Sequence, residues 1–100
     1  MISGKYAITM KTALGPKRGT LTLSSEGDRL SGLLEIMGQK NERSNGRIIG
    51  NVCEFTGEIK TLMGKISFVV RGTIEDGKLN AIAETKSGKM EINGMQIQNA

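Results

Sequence analysis

Apolar and polar residues alternate along nearly the whole chain. Over 5–14, Tyr6, Ile8, Met10, Thr12 and Leu14 share one parity, and Lys5, Ala7, Thr9, Lys11 and Ala13 share the other. Successive side chains of a strand point to opposite faces, so this spacing predicts a strand with one apolar and one wet face. The same reading places strands over 18–25 and 29–37, with Leu21, Leu23, Leu30, Leu34 and Ile36 on the apolar side. Segment 39–44 is either an edge-like strand or a loop. Asn45-Gly46 reads as a tight hairpin, because both residues tolerate positive φ. A long strand over 47–63 carries Cys53, Phe55, Gly57, Ile59 and Met63 at one parity. Further strands are predicted over 65–74 and 78–85, then around 89–92 and over 95–98, the last two joined at Asn93-Gly94.

Glycine-bearing breaks separate these segments, at Gly15-Pro16, Gly27, Gly38, Gly64, Gly77 and Gly88. Connections of two to four residues force neighbouring strands to run antiparallel. An open sheet of this kind exposes two edges and a whole apolar face, and closure removes both. The predicted fold is all-β: an up-and-down meander barrel of eight or nine short strands. A two-sheet β-sandwich is the alternative.

The chain also matches itself. Shifted by 49 positions, Lys11-Thr12 falls on Lys60-Thr61, Gly15 on Gly64, Leu30 on Leu79, Lys40 on Lys89 and Glu42 on Glu91. After a slip of one residue, Asn45-Gly46 falls on Asn93-Gly94 and Ile49 on Ile97. A fixed-period match predicts two similar halves, approximately 4–51 and 52–100, within a single domain over 1–100.

Composition narrows the chemistry. The chain has 100 residues, with 3% aromatics and no tryptophan, so aliphatic side chains and six methionines must fill the core. Net charge is +4, but the fourteen basic residues are interleaved with ten acids and form no cluster. Without a basic stripe or stacking aromatics, nucleic-acid binding is not expected. No apolar run approaches the ~20 residues of a membrane-spanning helix, so no membrane partner is expected and a cytoplasmic location follows. Histidine is absent, which removes Ser-His-Asp and Cys-His catalysis. Cys53 is the single cysteine and shares its parity with Phe55, so it reads as a small buried hydrophobe rather than a nucleophile or zinc ligand. Glu26, Asp28, Glu75 and Asp76 sit beside turn glycines and read as turn chemistry, not a catalytic dyad. The expectation is no enzyme, no metal and no cofactor.

Gly4-Lys5-Tyr6, Leu30-Ser31-Gly32 after a Glu-Gly-Asp turn, and Gly72-Thr73-Ile74 before Glu-Asp-Gly give a strand–turn–strand–Gly rhythm over nearly the whole chain. In this the chain resembles the calycin type of small meander barrel, which includes streptavidins, lipocalins and fatty-acid-binding proteins. It also resembles small bacterial barrel proteins. The calycin resemblance implies a barrel with a ligand-binding habit. It carries over no site residue: the lipocalin Gly-x-Trp signature reads Gly4-Lys5-Tyr6, and no tryptophan is present to line a biotin-type site.

Two functional readings follow. In the first, the barrel holds a small apolar or amphipathic ligand lined by Tyr6, Ile8, Met10, Leu34, Phe55, Ile59, Phe68 and Val70, with Thr12, Thr61 or Tyr6 orienting a polar end. In the second, a packed barrel acts as a structural or interaction module, through homo-oligomerisation or a partner protein. Leu33, Met37, Val69 and Ile82 are apolar residues at outward parity. If Leu33 and Ile82 adjoin, they form an interface patch.

Overall fold

The computed structural model describes residues 3–12, 15–36, 38–61, 64–86 and 88–99. Eight strands follow one another: β1 (Gly4–Thr12), β2 (Gly15–Glu26), β3 (Arg29–Ile36), β4 (Gln39–Ile49), β5 (Val52–Thr61), β6 (Gly64–Glu75), β7 (Lys78–Thr85) and β8 (Gly88–Asn99). Each pairs antiparallel with the next, and β8 closes on β1. The fold is therefore the closed meander barrel and not the sandwich. Its cross-section is nearly round, 22 × 21 Å, on a long axis of 37 Å.

Alternation sets the two faces. Tyr6, Ile8, Met10, Leu79, Ala81 and Ala83 are buried inside, and Lys11, Lys78, Asn80 and Glu84 are exposed outside. This arrangement is the inverse of a barrel whose strands cross a bilayer, which turns its apolar face to lipid and its polar face inward. No helix is long and apolar enough to cross a membrane.

One end of the barrel is sealed. Ile48 N donates to Asp28 O at 3.0 Å, Ile74 N to Asn51 O at 2.9 Å, and Gln96 N to Gly77 O at 2.7 Å. Each turn at this end is thereby tied to a strand beyond its own hairpin. Ser3 adds a plug: its Oγ accepts from Ser25 N at 3.0 Å, and its carbonyl accepts from Gln96 Nε2 at 3.2 Å. Beneath lie Tyr6, Leu23, Leu30 and Cys53, the largest fully buried side chains among the described residues.

Strand starts recur at a fixed spacing. Strands begin at Gly15, Arg29 and Gln39 in the first half and at Gly64, Lys78 and Gly88, 49 residues later, in the second. The Asn-Gly pairs, expected to turn the chain, lie instead inside β4 and β8. Gly46 and Gly94 both lack positive φ. A side chain is what they cannot carry: a Cβ on Gly46 would lie 2.5 Å from the Phe55 ring, and one on Gly94 would lie 2.8 Å from Ile8. Segment 39–44 is strand. The expected long strand over 47–63 is divided at Gly50-Asn51, where Ile49 pairs with Val52 and Gly50 takes φ 61°. A two-residue turn reverses parity, so Ile48 and Cys53 both face inward.

The registers differ at two places: the β8–β1 ladder skips Ile97 between Lys5↔Gln98 and Tyr6↔Gln96, which the β4–β5 ladder does not match, and β4 is bulged against β3. In β7–β8, Leu79, Asn80 and Ala81 face Gly94, Asn93 and Ile92 one for one. In β3–β4, Leu30 faces Gly46 and Gly32 faces Arg43, so two residues of β4 oppose Ser31 alone. This β-bulge is the one-residue slip in the sequence repeat. A bulge bends its strand and increases local twist. Beyond it, β4 leaves β5. Their ladder runs only from Ile49↔Val52 to Arg47↔Glu54, whereas the corresponding β8–β1 ladder continues to Ile92↔Met10.

Candidate functional site

The divergence of β4 and β5 makes a fork in the barrel wall. A cleft starts at the fork's apex, at Asn45 of β4, and runs over Thr56 and Glu58 of β5 and Ser67 and Phe68 of β6 to Glu84 of β7. Asn45 Nδ2 donates to Thr56 Oγ1 at 2.6 Å and bridges the apex. Each bank stays paired to its other neighbour: β4 follows β3 out to Gln39↔Ile36, and β5 follows β6 out to Thr61↔Gly64.

Behind the fork lies a void of about 60 Å³ with an almost wholly apolar lining. One water-sized group needs roughly 10–15 Å³ by this measure, so the void holds about four to six non-hydrogen atoms. Thr56 and Phe68 line both the void and the cleft. Leu21, Leu34, Phe68 and Val70 point inward yet remain partly exposed, while side chains at the sealed end do not. The interior is therefore packed at one end and wetted at the other.

The expected lining residues separate accordingly. Ile8, Met10, Leu34, Phe55, Phe68 and Val70 come together around the void. Tyr6 does not; it is fully buried toward the sealed end. Thr12 is engaged in its own hairpin, where Oγ1 donates to Gly15 O at 2.6 Å. The side chains of Ile59 and Thr61 lie outside the described residues. Leu21, Leu23 and Ala81 also line the void. Their parity already marked them as inward, but nothing in sequence says which level of the barrel stays unfilled. Thr56 is the residue that sequence reasoning missed, because its parity is outward and only the fork brings it to the rim.

The expected outer patch is not assembled. Leu33 lies on β3, between Thr22 and Glu42, and Ile82 lies on β7, between Arg71 and Glu91. Four strands apart in an eight-stranded barrel, they occupy opposite walls. Val69 and Ile82 are diagonal neighbours on β6 and β7. Met37 lies outside the described residues. Among the described residues, the most exposed large apolar side chains are others: Ile49 at 74%, Met95 at 59% and Ile97 at 58%.

Two groups have altered acidities. Burial pushes the Cys53 thiol up, against smaller opposing hydrogen bonds from the backbone of Cys53 and Gly72. Burial also raises the Tyr6 phenol, and Cys53 adds to that shift. Both are neutral at pH 7, so the thiol is no ready nucleophile. The ion pairs Lys11–Glu91 (3.2 Å) and Arg71–Glu54 (2.9 Å) are solvent-exposed and contribute about 0–1 kcal/mol each. No cluster of metal-ligating side chains occurs among the described residues.

No protein-family model matches the chain, and no curated protein matches it. Among solved structures it is similar to a putative outer membrane protein from Bacteroides fragilis, with a TM-score of 0.62 and 18% identity over 97% of this chain. The chain spans 44% of that protein's length. At this identity the likeness is one of fold: a small closed antiparallel barrel.

Proposed function

We propose that the barrel is a non-enzymatic binding module that takes up a small apolar group, or the apolar end of an amphipathic one, through the fork. The observation that carries this reading is the wet apolar wall. Leu21, Leu34, Phe68 and Val70 face a void that opens toward a cleft, while the opposite end is closed by three turn-to-strand hydrogen bonds and Ser3. A barrel with a ligand-binding habit is also what the calycin resemblance implies. The outward polar face, with Lys11, Lys78, Glu84 and Glu91 exposed, supports a barrel surrounded by water rather than by lipid.

The size of the void sets the ligand. Burying about five methylene-sized groups at ~0.8 kcal/mol each gives about 4 kcal/mol. That corresponds to a Kd on the order of 1 mM for the apolar part alone. Titration of 1-pentanol into methyl-labelled protein is expected to shift the Leu21, Leu34 and Val70 methyl resonances saturably. Val70→Phe, which places a ring in the void, is expected to abolish the shift in a folded barrel. Shifts confined to the exposed Ile49 and Val52, or a response linear in alcohol, would refute the interior site.

A further inference from the structure

We propose that the fork receives an uncharged amphiphile. An alkyl tail of about four or five carbons fills the void, and an alcohol or primary amide head hydrogen-bonds with Thr56 and Asn45 at the rim. The inference rests on the reading that the interior takes up an apolar group from outside, and it names the chemistry of the other end.

Three observations converge on that head. First, the void leads to one polar position. Among the residues that line it, Thr56 alone carries a hydroxyl and none carries a charge. Thr56 also lines the cleft outside, so a tail in the void brings its head to this residue. Second, the rim can both donate and accept. Asn45 and Thr56 stand two residues beyond Arg47↔Glu54, the last rung of the β4–β5 ladder, and Asn45 Nδ2 donates to Thr56 Oγ1 at 2.6 Å. Neither side chain makes another hydrogen bond among the described residues. The hydroxyl hydrogen and the amide oxygen therefore remain for a ligand. Turning the amide over would leave a donor and an acceptor all the same. An alcohol or a primary amide answers both.

Third, the charges around Thr56 are balanced. Its neighbours across the wall, Asn45 and Val69, are uncharged. Its neighbours along β5 are Glu54 and Glu58. Glu54 is paired with Arg71 at 2.9 Å and faces Arg47 across the ladder, and Glu58 is paired with Lys65 at 4.0 Å. In the rest of the cleft, Glu84 faces Lys89. Glu84 and Lys86 belong to β7 and the turn after it, two strand spacings or roughly 10 Å from β5. An ionised head at the rim thus meets no unbalanced counter-charge among the described residues, and it keeps its water. Keeping water holds it above the rim and draws the adjoining methylenes out of the void. Each methylene left outside lowers affinity about fourfold, so two lower it on the order of tenfold.

The test is a series of five-carbon probes, each titrated into the methyl-labelled full chain at pH 7 and physiological ionic strength: 1-pentanol, pentanamide, pentanoate, pentylammonium and cyclopentane. The proposal expects saturable shifts of the Leu34 and Val70 methyls, with the alcohol and the amide binding about tenfold or more tighter than either ion. Thr56→Val replaces the hydroxyl by a methyl at an exposed position. It is expected to weaken the alcohol and the amide about three- to tenfold, the worth of one hydrogen bond, and to leave cyclopentane unchanged. Should that variant not fold, the series on the natural chain decides. Pentanoate or pentylammonium binding as tightly as pentanol would overturn the proposal, as would an alcohol affinity that Thr56→Val leaves untouched. Saturable cyclopentane binding with no preference among the heads would overturn the rim and leave the interior reading standing. No saturable shift with any probe would remove both readings.

Discussion

Gly32 and Gly46 both lie against the Phe55 ring, and they should respond differently to a methyl group. A Cβ on Gly46 would meet the ring at 2.5 Å and the Leu30 carbonyl at 2.6 Å. One on Gly32 would meet Leu23, Phe55 and Leu21 at 3.3 to 3.5 Å, near ordinary contact, with flexible side-chain ends to yield. Gly46→Ala is expected to cost about 1–3 kcal/mol, as overpacking does. Gly32→Ala is expected to fall within about 1 kcal/mol of the natural chain, because a lower unfolded-state entropy offsets the tighter fit. Urea denaturation of the two variants checks this. Cys53 and Tyr6 give a pH signature. Both are acids whose neutral form the fold prefers, so the unfolded chain releases their protons first as pH rises. Stability should be full below the ordinary thiol value of 9.0 and fall above it, with the phenol contributing at higher pH. Cys53→Ala should remove the earlier part of the fall, measured as the urea midpoint from neutral pH to about pH 11.

Among the strands, the fork should be the least protected wall. Native-state hydrogen exchange is expected to show amides of 39–45 and 56–61 that face the fork exchanging at least tenfold faster than those of the β8–β1 seam. Short ladders open at low free energy. Uniform protection around the barrel would contradict the early end of the β4–β5 ladder. The alternation made most strands and their inward faces legible in sequence, because period two survives in every segment but 39–45, whose residues are all polar. Asn45-Gly46 misled for a physical reason. The pair suits a type I′ turn and suits equally a strand position where a neighbouring ring leaves no room for Cβ, and only packing distinguishes these. The actual turn, Gly50-Asn51, was hidden within a run of strand-forming residues. Asp76-Gly77 was read correctly, since both residues take positive φ, 50° and 73°. The slip in the repeat was visible too. That it is a bulge, and that the bulge opens a wall, required the register.

For the barrel as a body, the position of the weak seam predicts where the chain can be cut. Gly4 pairs with Asn99, so 3 and 99 lie at the ends of adjacent strands and a short linker can join them. A circular permutant opened at Gly50-Asn51 loses a turn whose strands share a short ladder. One opened at Gly27-Asp28 separates β2 from β3, which pair continuously from Glu26↔Arg29 to Gly19↔Ile36. The first permutant is expected to have the higher Tm. The reverse order would mean that the β4–β5 turn, with its Asn51–Ile74 hydrogen bond, carries more of the closure than the register suggests.

Strand starts that recur 49 residues apart make the β4–β5 and β8–β1 seams counterparts. Here the β8–β1 ladder, with its own bulge beside Ile97, continues to Ile92↔Met10, and the β4–β5 ladder ends after three pairs, so the two seams are not interchangeable. Under the proposed small-ligand reading, the fork serves a single void and takes up one apolar group at a time.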